Sequence, residues 1–156
     1  MKFSSSSFVA FSLVEVTLAL GVAAVSLLAI FGLLATGSQI NHTATEQAAS
    51  TSILTAVADD LRATPPTTAT SLQFGIAIPP NPVEEPFSTT LYFDSTGQSS
   101  TSLSSSSRYR LVLTFLPNGA GRTATLVDLR MTWPAVADPA KANTDAAEIF
   151  VALDRN

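Results

Sequence analysis

The sequence predicts an α+β protein: a long N-terminal helix, transmembrane and then amphipathic, packed on a small antiparallel β-sheet. Three observations carry this. No formally charged residue occurs from Val16 to Thr45, and the first part of that run is almost wholly apolar. Apolar residues then recur at three- and four-residue steps as far as Leu61, before Pro65-Pro66. Beyond Pro66 the period switches from helical to twofold, which is the spacing of half-buried strands.

The expected organisation follows these shifts: 1–10 a polar leader, 11–37 the membrane-spanning half of the helix, 38–63 its amphipathic half, and 64–156 a β-rich globular domain. Residues 1–10 hold one positive charge, Lys2, and the run Ser4-Ser5-Ser6-Ser7. The stretch from Leu13 to Ala35 is long enough to span hydrocarbon, which takes about 20 residues at 1.5 Å rise each. It is apolar on all faces, as a membrane span is. Gly21, Gly32 and Gly37 interrupt the helix; each costs about 1 kcal/mol against Ala in a helix interior, but lets helices approach closely in a membrane. Glu15 sits just inside the apolar block, where a carboxylate is costly and by default has a partner.

From Gln39 a stripe of Ile40, Ala44, Ala48, Thr51, Leu54, Val57, Ala58 and Leu61 faces away from Asn41, Thr45, Glu46, Ser52, Asp59 and Arg62. Thr64-Pro65-Pro66 ends the helix, because proline lacks the amide donor and disfavours helix in the residue before it. Strands are expected at 72–78, 90–93, 108–115, 125–133 and 148–153, in a sheet of about four. Residues 108–115 and 125–133 form a hairpin around Pro117-Asn118-Gly119-Ala120-Gly121, the first with Tyr109, Leu111, Leu113 and Phe115 on one face, the second with Val127, Leu129, Met131 and Trp133 opposite Leu126, Asp128, Arg130 and Thr132. Residues 98–107 are serine-rich and read as a loop. Such a sheet has one apolar face that another layer must cover, and the helix stripe supplies it.

Composition narrows the function. The chain has 156 residues, a formal charge of −4, eight Lys and Arg together and no cysteine. Clustered basic residues for phosphate neutralisation are missing, so nucleic-acid binding is not predicted. There is no disulfide, thiolate nucleophile or Cys-based metal site. His42 is the sole histidine, so a zinc site lacks ligands, and no Gly-x-Ser-x-Gly elbow is present. Glu84-Glu85 reads as a solvated turn in a proline-rich loop. The stretch from Asp94 to Gly97 lacks the alternating acidic ligands and terminal Glu of a calcium loop. Gly119-Ala120-Gly121 reads as a turn, with no P-loop lysine after it. Trp133, on an apolar strand face, reads as core. No catalytic residue, metal ligand or cofactor is expected, and the chain is read as a non-enzyme.

Ala10-Phe11-Ser12-Leu13-Val14-Glu15, a small residue, then Phe, then a Glu five residues after the small one, opens the apolar helix. This resembles the processing and assembly signal of type IV pilins and type II secretion pseudopilins, in its minor-pilin form. With Leu18-Ala19-Leu20-Gly21, Leu91-Tyr92-Phe93-Asp94, Trp133-Pro134-Ala135 and the ending Val151-Ala152-Leu153-Asp154-Arg155-Asn156, the chain is similar to the Verru_Chthon cassette protein B group. The resemblance implies cleavage between Ala10 and Phe11 by a prepilin peptidase, and methylation of the new Phe11 amine. It also implies residence in the inner membrane with the C-terminal domain periplasmic or extracellular, and assembly with other subunits into a pilus-like or secretion filament. Glu15 and the Phe11 amine are then the assembly charge pair. Ala10 departs from the pattern, which nearly always has Gly there. Gly32 lies about where major pilins often carry a helix-loosening proline. A competing reading of the N-terminus is ordinary signal cleavage after Ala35-Thr36-Gly37, and a competing function is a membrane-tethered β-rich binding module that never polymerises.

Overall fold

The computed structural model describes residues 12–119, 124–137 and 144–155. They form one helix, α1 (Leu13–Ala63), and five strands: β1 (Phe87–Phe93), β2 (Ser99–Ser100), β3 (Tyr109–Phe115), β4 (Ala124–Trp133) and β5 (Asp145–Asp154). The chain divides into two compact units between Thr45 and Glu46.

The described part of the first unit is α1 as far as Thr45, most of it apolar. The Val16 amide donates to the Ser12 carbonyl at 3.1 Å, opening the helix, and Glu15 lies in its first turn, where the unsatisfied amides favour negative charge. Three of its hydroxyls close on the helix backbone: Thr17 donates to the Val14 carbonyl at 2.9 Å, Ser26 to Val22 at 2.8 Å and Thr36 to Gly32 at 3.1 Å. Polar groups closed on their own helix are what hydrocarbon demands. The stretch is long and apolar enough to cross a membrane, and its Leu, Val, Ile and Phe side chains are exposed.

The second unit is an antiparallel sheet with strand order β2-β1-β3-β4-β5, covered on one face by residues 46–63 of α1. The expected hairpin forms in register, with Leu111 opposite Met131, Leu113 opposite Leu129 and Phe115 opposite Val127. Phe93, Leu111, Leu113, Phe115, Val127, Leu129 and Met131 are fully buried, and Leu54, Val57, Ala58 and Leu61 of the helix join them in one core. Trp133 is buried too, edge-on to the Tyr109 ring with centroids 6.3 Å apart. Ten-residue β5 begins at Asp145, three residues before its expected start.

Three expectations are corrected. Residues 98–107, read as a loop, hold the short strand β2, because Ser99 and Ser100 pair with Phe93 and Tyr92. The covered stripe is shorter than the pattern suggested: Ile40, Ala44, Ala48 and Thr51 are exposed, and burial starts at Ser50. A seven-residue strand such as β3 is about 23 Å long, and about 15 helical residues span that length, so the sheet can bury only the last few turns. Residues 72–78 are not a strand. They hold one isolated bridge, Thr70 to Ala77, and a turn with Gly75 at a φ of 64°. Ile76 and Ile78 alternate because both reach the core from this loop.

The loop is tied to the helix by Asp60, whose carboxylate accepts the Gln73 amide at 2.9 Å and the Phe74 amide at 3.1 Å. Asp60→Ala leaves both donors without that acceptor, at about 1–3 kcal/mol for each one left unsatisfied. We expect the urea midpoint of the fragment starting at Gln39 to fall with its m-value unchanged; an unchanged midpoint would show that the loop holds without this latch.

Candidate assembly site

The residues assigned to processing and assembly are Ala10, Phe11 and Glu15. Ala10 and Phe11 lie outside the described residues. Glu15 is in the first turn of α1, and its side chain is exposed. No hydrogen bond or ion pair joins it to another described residue. Around and beyond it the helix presents Leu13, Val14, Val16, Leu18 and Leu20, each 46–82% exposed. A carboxylate at the mouth of an uncovered apolar helix has two chemical options: solvation at the membrane edge, or neutralisation by a cation brought by another molecule.

The other polar positions singled out in the sequence have local explanations. Asp94 accepts the Thr96 amide at 2.8 Å, the Thr96 hydroxyl at 2.7 Å and the Gln98 amide at 3.0 Å, all through Oδ1. The Thr96 hydroxyl first, then the Gln98 amide, holds its carboxyl below the usual range. It therefore acts as the anchor of a turn in which Gly97 takes a φ of 84°. Glu84 and Glu85 are exposed in the loop before β1, and His42 is on exposed helix surface. Among the described residues no group of three or more His, Asp or Glu is placed to hold a metal ion.

Sequence reasoning missed three polar contacts. Glu46, at the start of the second unit, pairs with Arg108, 62 positions away. The pair borders an open cleft of about 480 Å³ with Ser106, Ser107, Trp133 and Asp145, and no local signal connects residues so distant. The Asn118 side chain accepts the Val83 amide at 2.5 Å and donates to Asn81 at 2.8 Å, fastening the loop before β1 to the end of β3. Asp60 did carry a signal: an acid in the last turn of a helix opposes the macrodipole and so calls for a specific donor.

Two more charges belong to the sheet. Burial first, then the neighbouring Glu148 carboxylate, raises the Asp128 carboxyl above its ordinary range. Burial lowers the Arg155 guanidinium, which donates to the Pro66 and Thr68 carbonyls at 2.6 and 2.9 Å, joining the end of β5 to the chain leaving the helix.

Comparison with protein-family models, with curated proteins and with solved structures found no match in any of the three.

Proposed function

We propose that the chain is a structural subunit of the minor pilin or pseudopilin kind. It is held in the inner membrane by the apolar part of α1, cut before Phe11 by a prepilin peptidase, and methylated on the new amine. It joins similar subunits in a pilus-like or secretion filament, with the sheet domain on the periplasmic or extracellular side. The observation that carries this reading is Glu15: an exposed carboxylate with no partner among the described residues, in the first turn of an uncovered apolar helix. Membrane insertion alone gives no reason to keep a charge there, since it costs about 3 kcal/mol at depth. A subunit-to-subunit pairing with the Phe11 amine does.

Processing is tested by mass spectrometry of the membrane-extracted protein. The expected mature chain starts at methylated Phe11, and Ala10→Gly is expected to raise the processed fraction, because the peptidase pattern has Gly at that position. A mature chain starting at Ser38 would instead support ordinary signal cleavage after Gly37 and remove the assembly helix from the product.

A further inference from the structure

We propose that the two sheet edges of the second unit are complementary docking surfaces, the outer edge of β5 in one copy taking residues 87–91 of β1 from the next. This rests on the filament reading for its partner, a second copy of this chain.

The edges differ in how they end. β2 pairs with Tyr92 and Phe93 alone, so residues 87–91 of β1 face no strand on the side away from β3. No backbone hydrogen bond outside the β1–β3 ladder uses them among the described residues. At the other side β5 pairs with β4 over ten positions, and no described strand pairs with its outer edge. Soluble proteins blunt such an edge by shortening it or by placing Pro, Lys or other charges on it; ten-residue β5 has neither Pro nor Lys, and its charges are Asp145, Glu148 and Asp154. The core also stays partly open along it. Val127, Leu129 and Met131 of β4 are fully buried, yet Ile149 and Ala147, opposite Leu129 and Met131, are partly buried only.

Direction and chemistry select the occupant. Each of the β1–β3, β3–β4 and β4–β5 pairs is antiparallel, so β1 and β5 run oppositely. A copy brought alongside without inversion therefore sets its β1 antiparallel to β5. It keeps the helix-covered face on the same side and residues 46–63 of every copy running the same way. A two-fold β5-to-β5 pair reverses one helix stem along the sheet. With Thr89 opposite Ile149, Phe87 meets Val151 and Leu91 meets Ala147 on the inner face. On the outer face Thr90 meets Glu148 and Ser88 meets Phe150. Residues 87–91 carry no charge, whereas β5 carries Asp145, Glu148 and Asp154, so no like charges oppose within this stretch and a threonine hydroxyl faces a carboxylate. Such a contact is heterologous, which builds open chains rather than closed dimers.

The test uses the full-length chain in membranes, where the absence of native cysteine makes introduced ones unique. Ser88 and Phe150 are both exposed. Within one copy they are separated by three strand spacings, about 14 Å, which is beyond disulfide reach. Copies carrying Ser88→Cys and copies carrying Phe150→Cys, expressed together and mildly oxidised, are expected to form a reducible dimer. The double variant is expected to form a ladder, and Phe150→Cys alone no dimer. A dimer from Phe150→Cys alone means two-fold pairing and overturns the proposal. Glu15-dependent co-purification of tagged and untagged copies without the Ser88–Phe150 crosslink also overturns it, leaving the filament reading in place. A crosslink equally strong in Glu15→Val chains supports the edge contact and removes Glu15-driven assembly instead.

Discussion

Glu15→Val is expected to abolish incorporation into a filament while leaving membrane insertion intact or improved and the sheet domain folded. After a cut before Phe11, the chain begins with a positive amine four residues from Glu15, both near the hydrocarbon edge. Two unit charges 4 Å apart attract by about 4 kcal/mol at an effective dielectric of about 20, and desolvation offsets part of that. A net remainder of even about 1.4 kcal/mol is tenfold in association. On the proposed pairing the incoming amine would also fix the axial position of one helix against the next, so a subunit without the carboxylate is expected to lose register as well as affinity. Glu15→Asp, one methylene shorter, is expected to be intermediate. Co-purification of tagged and untagged copies, with circular dichroism of the extracted protein, separates assembly from folding. Wild-type assembly by Glu15→Val would sink the charge-register mechanism and favour a tethered binding module.

The second large effect concerns the layer over the sheet. A fragment starting at Gln39 is expected to be soluble, folded and β-rich, because the apolar run is gone and residues 46–63 still cover the core. A fragment starting at Pro66 loses Leu54, Val57, Ala58 and Leu61 together, all of them 3% exposed or less. Burying one such Leu or Val side chain contributes about 1.5–3 kcal/mol, so losing the set removes most of the roughly 5–15 kcal/mol a small domain has. That fragment is expected to aggregate or unfold. Leu54→Ala in the longer fragment is the graded version, at about 2–5 kcal/mol by urea denaturation. Equal stability of the two fragments would mean that the helix does not support the sheet.

The sequence by itself determined the elements whose causes are local. The bounds of α1 follow from an uncharged apolar run and Pro65-Pro66. The β3–β4 hairpin follows from strict alternation on both sides of a glycine-containing turn. The inward faces of these strands follow from the same alternation, and the register then set Leu111 against Met131. Glu15 was legible because a charge inside an apolar run is anomalous in one dimension. Tertiary structure decided what depends on residues meeting from afar. It set how much of the helix stripe is covered, since strand length limits burial to Ser50 and beyond. It turned residues 72–78 into a loop, because the Asp60 carboxylate takes the Gln73 and Phe74 amides that a ladder would use. It paired Glu46 with Arg108 and left the outer edge of β5 without a described strand. Periodicity reports which way a side chain faces; it carries no information about which distant backbone amide or charge arrives to meet it.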